Sequence, residues 1–286
     1  MPLTYHLEDY ARYRAQVGDA TYIDVTRRTD PARIPEVWAH LREVVETYGP
    51  SWVVQVWTKD PAGVLRLGGD LLRALVAAGT TLAAQVTVTG LAGTVWEPRV
   101  PLDGLRAAAA LAELAGGPEH IKWRYDPILP GVHTAERYRA LAQQAAEVGI
   151  RRGIINFLAS PGCYARVDRR LAALLPGWAA GMPGYDQAWR RGVAAELVGI
   201  ARECGLTLAC CAENAGLGKP GSPDYVPGLG RAACGEYAWF VALSGRRPAA
   251  SASRGSRPGC GCARYFDVGQ YGCWARCHGC VYCYAG

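Results

Sequence analysis

Several features are missing from this sequence, and each absence narrows the field. The N-terminus, MPLTYHLEDYARYR, has no apolar core of the kind a secretory leader carries, and no stretch reaches the roughly 18 uninterrupted apolar residues of a membrane span. The expectation is a soluble, cytoplasmic protein with no membrane partner. There is no long basic block and no basic motif interleaved with aromatics; the net charge of +6 is spread over arginine pairs such as Arg27-Arg28, Arg151-Arg152 and Arg246-Arg247. A solvated basic surface is therefore expected, and a nucleic-acid partner is disfavoured. An internal repeat of fixed period is also lacking.

Fifty per cent of the residues are hydrophobic and only 20% are charged, so 286 residues can bury one large core. Short β-rich runs alternate with longer Ala/Leu/Arg segments, the pattern of a parallel sheet with crossover helices. Strands are expected at 21–27, 52–58, 81–89, 120–126, 153–159 and 206–212. Helices are expected near 35–47, 68–78, 102–114, 134–148, 168–175 and 185–204. This predicts an α/β fold, a TIM-barrel-like partial (β/α) barrel of about six parallel strands over residues 1–245. A Gly-, Ser- and Pro-rich connection at 245–261 leads into a cysteine-rich segment, taken as 246–286, packed on the barrel mouth.

Alternate side chains of a barrel strand point inward, and ligands bind where strands reach their C-terminal ends. One parity gives Asp24, Thr26 and Arg28; Gln55, Trp57 and Lys59; Gln85, Thr87 and Thr89; Lys122, Arg124 and Asp126; Asn156 and Ser160; Thr207, Cys211 and Glu213. The other parity is mostly apolar, as at Ile23, Val25, Val54, Val56, Leu208 and Cys210. Burying a polar group without a partner costs about 1 to 3 kcal/mol, so this inward set points to a polar pocket; internal pairing is the competing reading. Arg28, Lys59 and Arg124 would hold a small anionic substrate, Asp126 and Glu213 would move protons, and Thr87, Thr89 and Asn156 would contact a cofactor. An internal ion pair, such as Arg124 with Asp126, is the alternative for each charge.

Eleven cysteines, an odd number with six in the last 27 residues, read in a reducing compartment as metal ligands rather than a disulfide framework. The spacings are Cys260-x-Cys262 and Cys273-x3-Cys277-x2-Cys280-x2-Cys283. Closely spaced thiolates in a short loop suit a [4Fe–4S] cluster, and Cys273, Cys277, Cys280 and Cys283 are its candidate ligands. A zinc knuckle, with His278 as a substitute ligand, competes; otherwise His278 is expected to support a ligand or to lie at the surface. Cys211, Cys234, Cys260 and Cys262 form a candidate set for a second cluster. Cys163, Cys204 and Cys210 are read as small buried residues.

VTRRTD at 25–30, WTK at 57–59, VTVTG at 86–90, WRYDPIL at 123–129, CAEN at 211–214 and the ending DVGQYG…CHGCVYCYA resemble a bacterial family known as domain of unknown function 1848. Through a terminal C-x3-C-x-Y-C-Y motif that family is distantly similar to spore photoproduct lyase and other radical SAM proteins. Cys280-Val281-Tyr282-Cys283-Tyr284 fits the end of that motif, whereas the position four before Cys280 is Arg276. The resemblance implies S-adenosylmethionine (SAM) as a second cofactor and a reductant protein as partner. An iron–sulfur enzyme without SAM, its cluster acting as a Lewis acid or handling sulfur, and an electron-transfer or zinc-stabilised module stay open.

Overall fold

A computed structural model describes residues 5–211, 214, 216–248 and 260–285. The chain begins with α1 (Leu7–Val17) and then alternates: β1 (Tyr22–Val25), α2 (Glu36–Tyr48), β2 (Val53–Thr58), α3 (Pro61–Ala77), β3 (Thr81–Thr87), α4 (Gly104–Ala115), β4 (Ile121–Ile128), α5 (Ala135–Glu147) and β5 (Arg152–Phe157). After β5 come α6 (Ala165–Leu171), α7 (Gln187–Glu203), β6 (Thr207–Cys210), β7 (Leu229–Arg231), α8 (Tyr237–Ser244) and β8 (Phe266–Asp267). All the strand pairs are parallel, in the order β7-β6-β5-β4-β3-β2-β1-β8. The result is an open, barrel-like α/β sheet.

All six expected strands form. Two short ones extend the sheet, three residues in β7 and two in β8, too brief to carry a hydrophobic period. The expected helices also form, with shifted starts. Helix α3 begins at Pro61 because Asp60 accepts from the Gly63 N–H and proline suits the first helical position. Thr134 and Asp186 cap α5 and α7 in the same way. Helix α1 was not anticipated. Its Tyr10 packs edge-on against Phe266 with ring centroids 5.1 Å apart, and its Tyr13 hydroxyl donates to Tyr22 O at 3.0 Å, so it braces β8 against β1.

The strand parity holds except at two positions: Thr207, at the very start of β6, and Ser160, beyond the end of β5, are exposed rather than inward. Ile23, Val25, Val54, Val56, Leu208 and Cys210 join the main apolar core with α1 to α5 and α7. The register sets Asp24 beside Gln55 and Gln55 beside Ala83, which turns the polar parity to the other side. Among the described residues no helix is long and apolar enough to cross a membrane.

Candidate active site and thiolate sets

A cavity of about 520 Å³ opens at the strand C-terminal ends. Thr26, Arg28, Trp57, Lys59, Thr87, Arg124, Asp126, Asn156 and Cys211 of the inward parity line it. Glu213 lies outside the described residues. Deeper in the barrel, Asp24 accepts from Trp57 Nε1 at 2.8 Å and from the Tyr22 hydroxyl, and it pairs with Arg27. Burial pushes Asp24 up to about 6 against the opposing pull of Arg27.

Each cation assigned to substrate has an acidic neighbour. Lys59 Nζ lies 2.8 Å from Glu97 Oε1, Arg124 is paired with Asp126, and Arg28 Nε is 3.8 Å from Asp267 Oδ2. The alternative of internal pairs is thus realised at all three, and a substrate anion would have to compete with a resident carboxylate. Thr89 lies outside the cavity lining and donates to Glu97 at 2.8 Å, where Tyr282 also donates. Asn156 lines the cavity and accepts from Asn214 Nδ2 at 2.7 Å.

Cys277, Cys280 and Cys283 line this cavity, in the sequence spacing C-x2-C-x2-C. They are close enough that Cys280 feels the charge of both others. Burial pushes Cys277 up to about 11 and Cys280 up to about 12, so both are thiols until a metal displaces their protons. Cys273 is turned away. It is buried in the apolar core with Arg276 Nη2 3.5 Å from its sulfur, and it is not among the cavity-lining residues. The structure therefore brings three of the four tail cysteines to the cavity. Their donor chemistry fits a cluster held by three thiolates, each on a different iron.

His278 is buried rather than superficial. Its Nε2 lies 2.9 Å from Asp30 Oδ2 and its Nδ1 3.1 Å from Arg99 O, so neither nitrogen is free for a metal. Asp30 also accepts from Lys59 N at 2.6 Å and from Thr58 Oγ1 at 2.8 Å. This carboxylate ties the cysteine loop to the ends of β1 and β2. Asp267 makes a second tie, accepting from Thr26 and from Arg27 N at 3.1 Å. Asp30 and Asp267 fall in quoted motifs but outside the expected strands, whereas Glu97 sits in a loop that gave no signal.

Cys211, Cys234, Cys260 and Cys262 also line the cavity. Cys211 Sγ and Cys234 Sγ are 3.9 Å apart. Hydrogen bonds from Cys211 and Cys262, with the nearby Arg124 and Arg27, hold the Cys234 thiol well below its ordinary range. Among the described residues no three His, Cys, Asp or Glu side chains close round a single metal ion. Of the cysteines read as small buried residues, Cys210 is buried and Cys204 half-buried, but Cys163 is exposed on the loop before α6, where a small side chain needs no core contact.

Comparison with known proteins adds a family. The family model described as Domain of unknown function (DUF1848) matches residues 39–285. No curated protein matches. Among solved structures, the carboxyl transferase domain of Rhizobium etli pyruvate carboxylase, with pyruvate and biocytin, aligns at 17% identity and a TM-score of 0.36, over 78% of this chain and 33% of that one. An enolase protein from the environmental genome shotgun sequencing of the Sargasso Sea aligns at 15% identity and a TM-score of 0.28, over 78% of this chain and 59% of that one. The chain spans less than two thirds of the length of either.

Proposed function

The chain belongs to the DUF1848 family, and from that premise we propose that it is a cytosolic iron–sulfur enzyme acting on a small anionic substrate in the cavity at its strand C-termini. One observation carries the reading: Cys277, Cys280 and Cys283 line the same cavity as Arg28, Lys59, Arg124 and Asp126, while Cys273 faces the core. Three thiolates complete three irons of a [4Fe–4S] cluster and leave the fourth open. When bound, such a group would supply one-electron chemistry at the open iron; SAM is the ligand the family resemblance implies, and the C-x2-C-x2-C spacing of the cavity-lining cysteines departs from the C-x3-C-x-Y-C-Y motif that carries it.

The chain's own residues do the rest. Asp30 and His278 fix the loop between Cys277 and Cys280, and Trp274 Nε1 donates to Cys280 O at 2.9 Å. Arg28, Lys59 and Arg124 present cationic edges for an anionic group, each released from its carboxylate partner by exchange for the substrate's own charge. Asp126, half-buried beside Arg124, is the group placed to accept a proton. Electrons would come from a reductant protein.

The test is anaerobic purification with iron and sulfide analysis, followed by SAM and dithionite with 5′-deoxyadenosine as the measured product. Iron, sulfide and 5′-deoxyadenosine are expected together. Iron-bearing protein that makes no 5′-deoxyadenosine would transfer the assignment to a Lewis-acid or sulfur-handling cluster, and colourless, metal-free protein would end the reading.

A further inference from the structure

We infer that Cys211 and Cys234 form a dithiol pair on the cavity wall that exchanges with small disulfides, separate from the tail cysteines. Their sulfurs are 3.9 Å apart. That is too short for thiolates on separate irons of a four-iron cluster, and among the described residues no three His, Cys, Asp or Glu side chains close round one ion. The same distance suits a disulfide, whose sulfurs need only close to about 2.05 Å, within reach of side-chain rotation.

The sheet holds both backbones in place. Strands β6 and β7 pair with Cys210 beside Arg231, and the Ala232 N–H donates to Cys210 O at 2.8 Å, so the chain leaving β7 runs alongside Cys211. On its other side the Cys211 N–H donates to Ile155 O at 3.2 Å. Gln85 donates to Cys234 O and Lys122 Nζ to Ala233 O at 3.3 Å, both from buried side chains of the barrel. The next residue is Gly235, where a Cβ would meet the Tyr22 ring at 2.5 Å, so only glycine lets this backbone approach. With both main chains anchored, the two side chains alone need to move. The third nearby sulfur, Cys262 Sγ, is engaged by the Gly235 N–H at 3.3 Å.

Both cysteines line the cavity, Cys211 half-buried and Cys234 buried, so an entering disulfide meets Cys211 first. The Cys211 sulfur attacks one sulfur of R–S–S–R, forming Cys211–S–S–R and releasing R–S⁻, which takes up the Cys211 proton. The Cys234 sulfur then attacks Cys211 Sγ and expels the second R–S⁻, which takes up the Cys234 proton. Two protein thiols are thereby oxidised to one disulfide, and one small disulfide is reduced to two thiols. Arg124 Nη1 lies 3.0 Å from Cys234 Sγ, an N–H placed to steady the charge on that sulfur as it attacks. Arg28 and Lys59 line the same cavity, which suits a disulfide that carries carboxylates.

The test uses the full chain with Cys163→Ser, which removes an exposed thiol that would react on its own. The protein is incubated anaerobically with oxidised glutathione, peptide masses map every thiol, and iron is counted before and after. A Cys211–Cys234 disulfide is expected. Adding Cys234→Ser should stall the exchange with one glutathione held on Cys211, and adding Cys211→Ser should give neither the disulfide nor an adduct on Cys234. No bridge in the parent chain, a bridge from Cys234 to Cys262 instead, or loss of iron in both serine variants overturns the pair. Should the serine variants fail to fold, the map of the parent chain decides by itself. The two readings fail separately: a metal-free chain that forms the bridge ends the iron–sulfur proposal and leaves this one standing.

Discussion

Cys273 and Cys277 are joined by one turn, with the Cys277 N–H donating to Cys273 O at 2.8 Å, yet only Cys277 reaches the cavity. Cys273 packs in the main core among residues such as Val25 and Val268. A four-cysteine motif in sequence thus becomes three ligand candidates and one core residue.

Replacing the two should separate them. Cys273→Ala should keep its iron and lose about 1 kcal/mol of stability through lost packing. Cys277→Ala should lose most of the tail-bound iron at nearly unchanged stability in the metal-free protein. Iron analysis with urea unfolding reads both, and iron loss in Cys273→Ala alone would reverse the assignment.

Gly279, between His278 and Cys280, has φ +70, and a Cβ there would lie 2.7 Å from Arg99 Nη2. Both the left-handed backbone and the close arginine resist a side chain. Gly279→Ala should cost about 1 to 2 kcal/mol. It should also lower tail-site iron occupancy more than the fold's melting temperature, measured by iron content and thermal unfolding.

Glu97 is buried and takes hydrogen bonds from Lys59, Thr89 and Tyr282. Glu97→Ala strands the Lys59 ammonium in the cavity wall, a loss of about 3 to 5 kcal/mol, whereas Glu97→Gln should lose less because it keeps acceptor contacts. Equal losses in denaturant unfolding would mean that Lys59 finds another partner.

Asp24 is fully buried, with Arg27, Tyr22 and Asp267 as its charged or titratable neighbours, and burial raises it to about 6. A carboxyl raised on folding binds its proton more tightly in the native state, so its contribution is most favourable below the unfolded value near 4 and is lost as pH rises to about 6. Relative to wild type, Asp24→Asn should gain stability between pH 4 and pH 6, by up to about 3 kcal/mol. Parallel unfolding curves at pH 4, 5 and 6 check the sign; a gap that stays constant would mean Asp24 titrates alike in both states.

The strand positions, their inward parity and the gathering of cysteines near the end of the chain were all legible in the residues. Periodicity is local, and Ile23, Val25, Val54 and Val56 declare their face through neighbours two residues away. The expected start near 68 misses the true start of α3 at Pro61, although the caps Asp60, Thr134 and Asp186 are local signals that periodicity alone does not register. Helix α1 and strands β7 and β8 escaped because their support is distant: Tyr10 packs edge-on against Phe266, and two-residue β8 pairs with β1.

The sequence by itself determined a parallel α/β sheet with a polar face and a thiol-rich end, because those follow from spacing along the chain. Tertiary structure alone decided that Cys273 faces the core, that Lys59 meets Glu97, and that Gln85, Lys122 and Arg124 reach across to the turn holding Cys234. Such pairings join residues tens to hundreds of positions apart. Which cation meets which anion or sulfur depends on how strands register and loops close over them, and no local pattern encodes that.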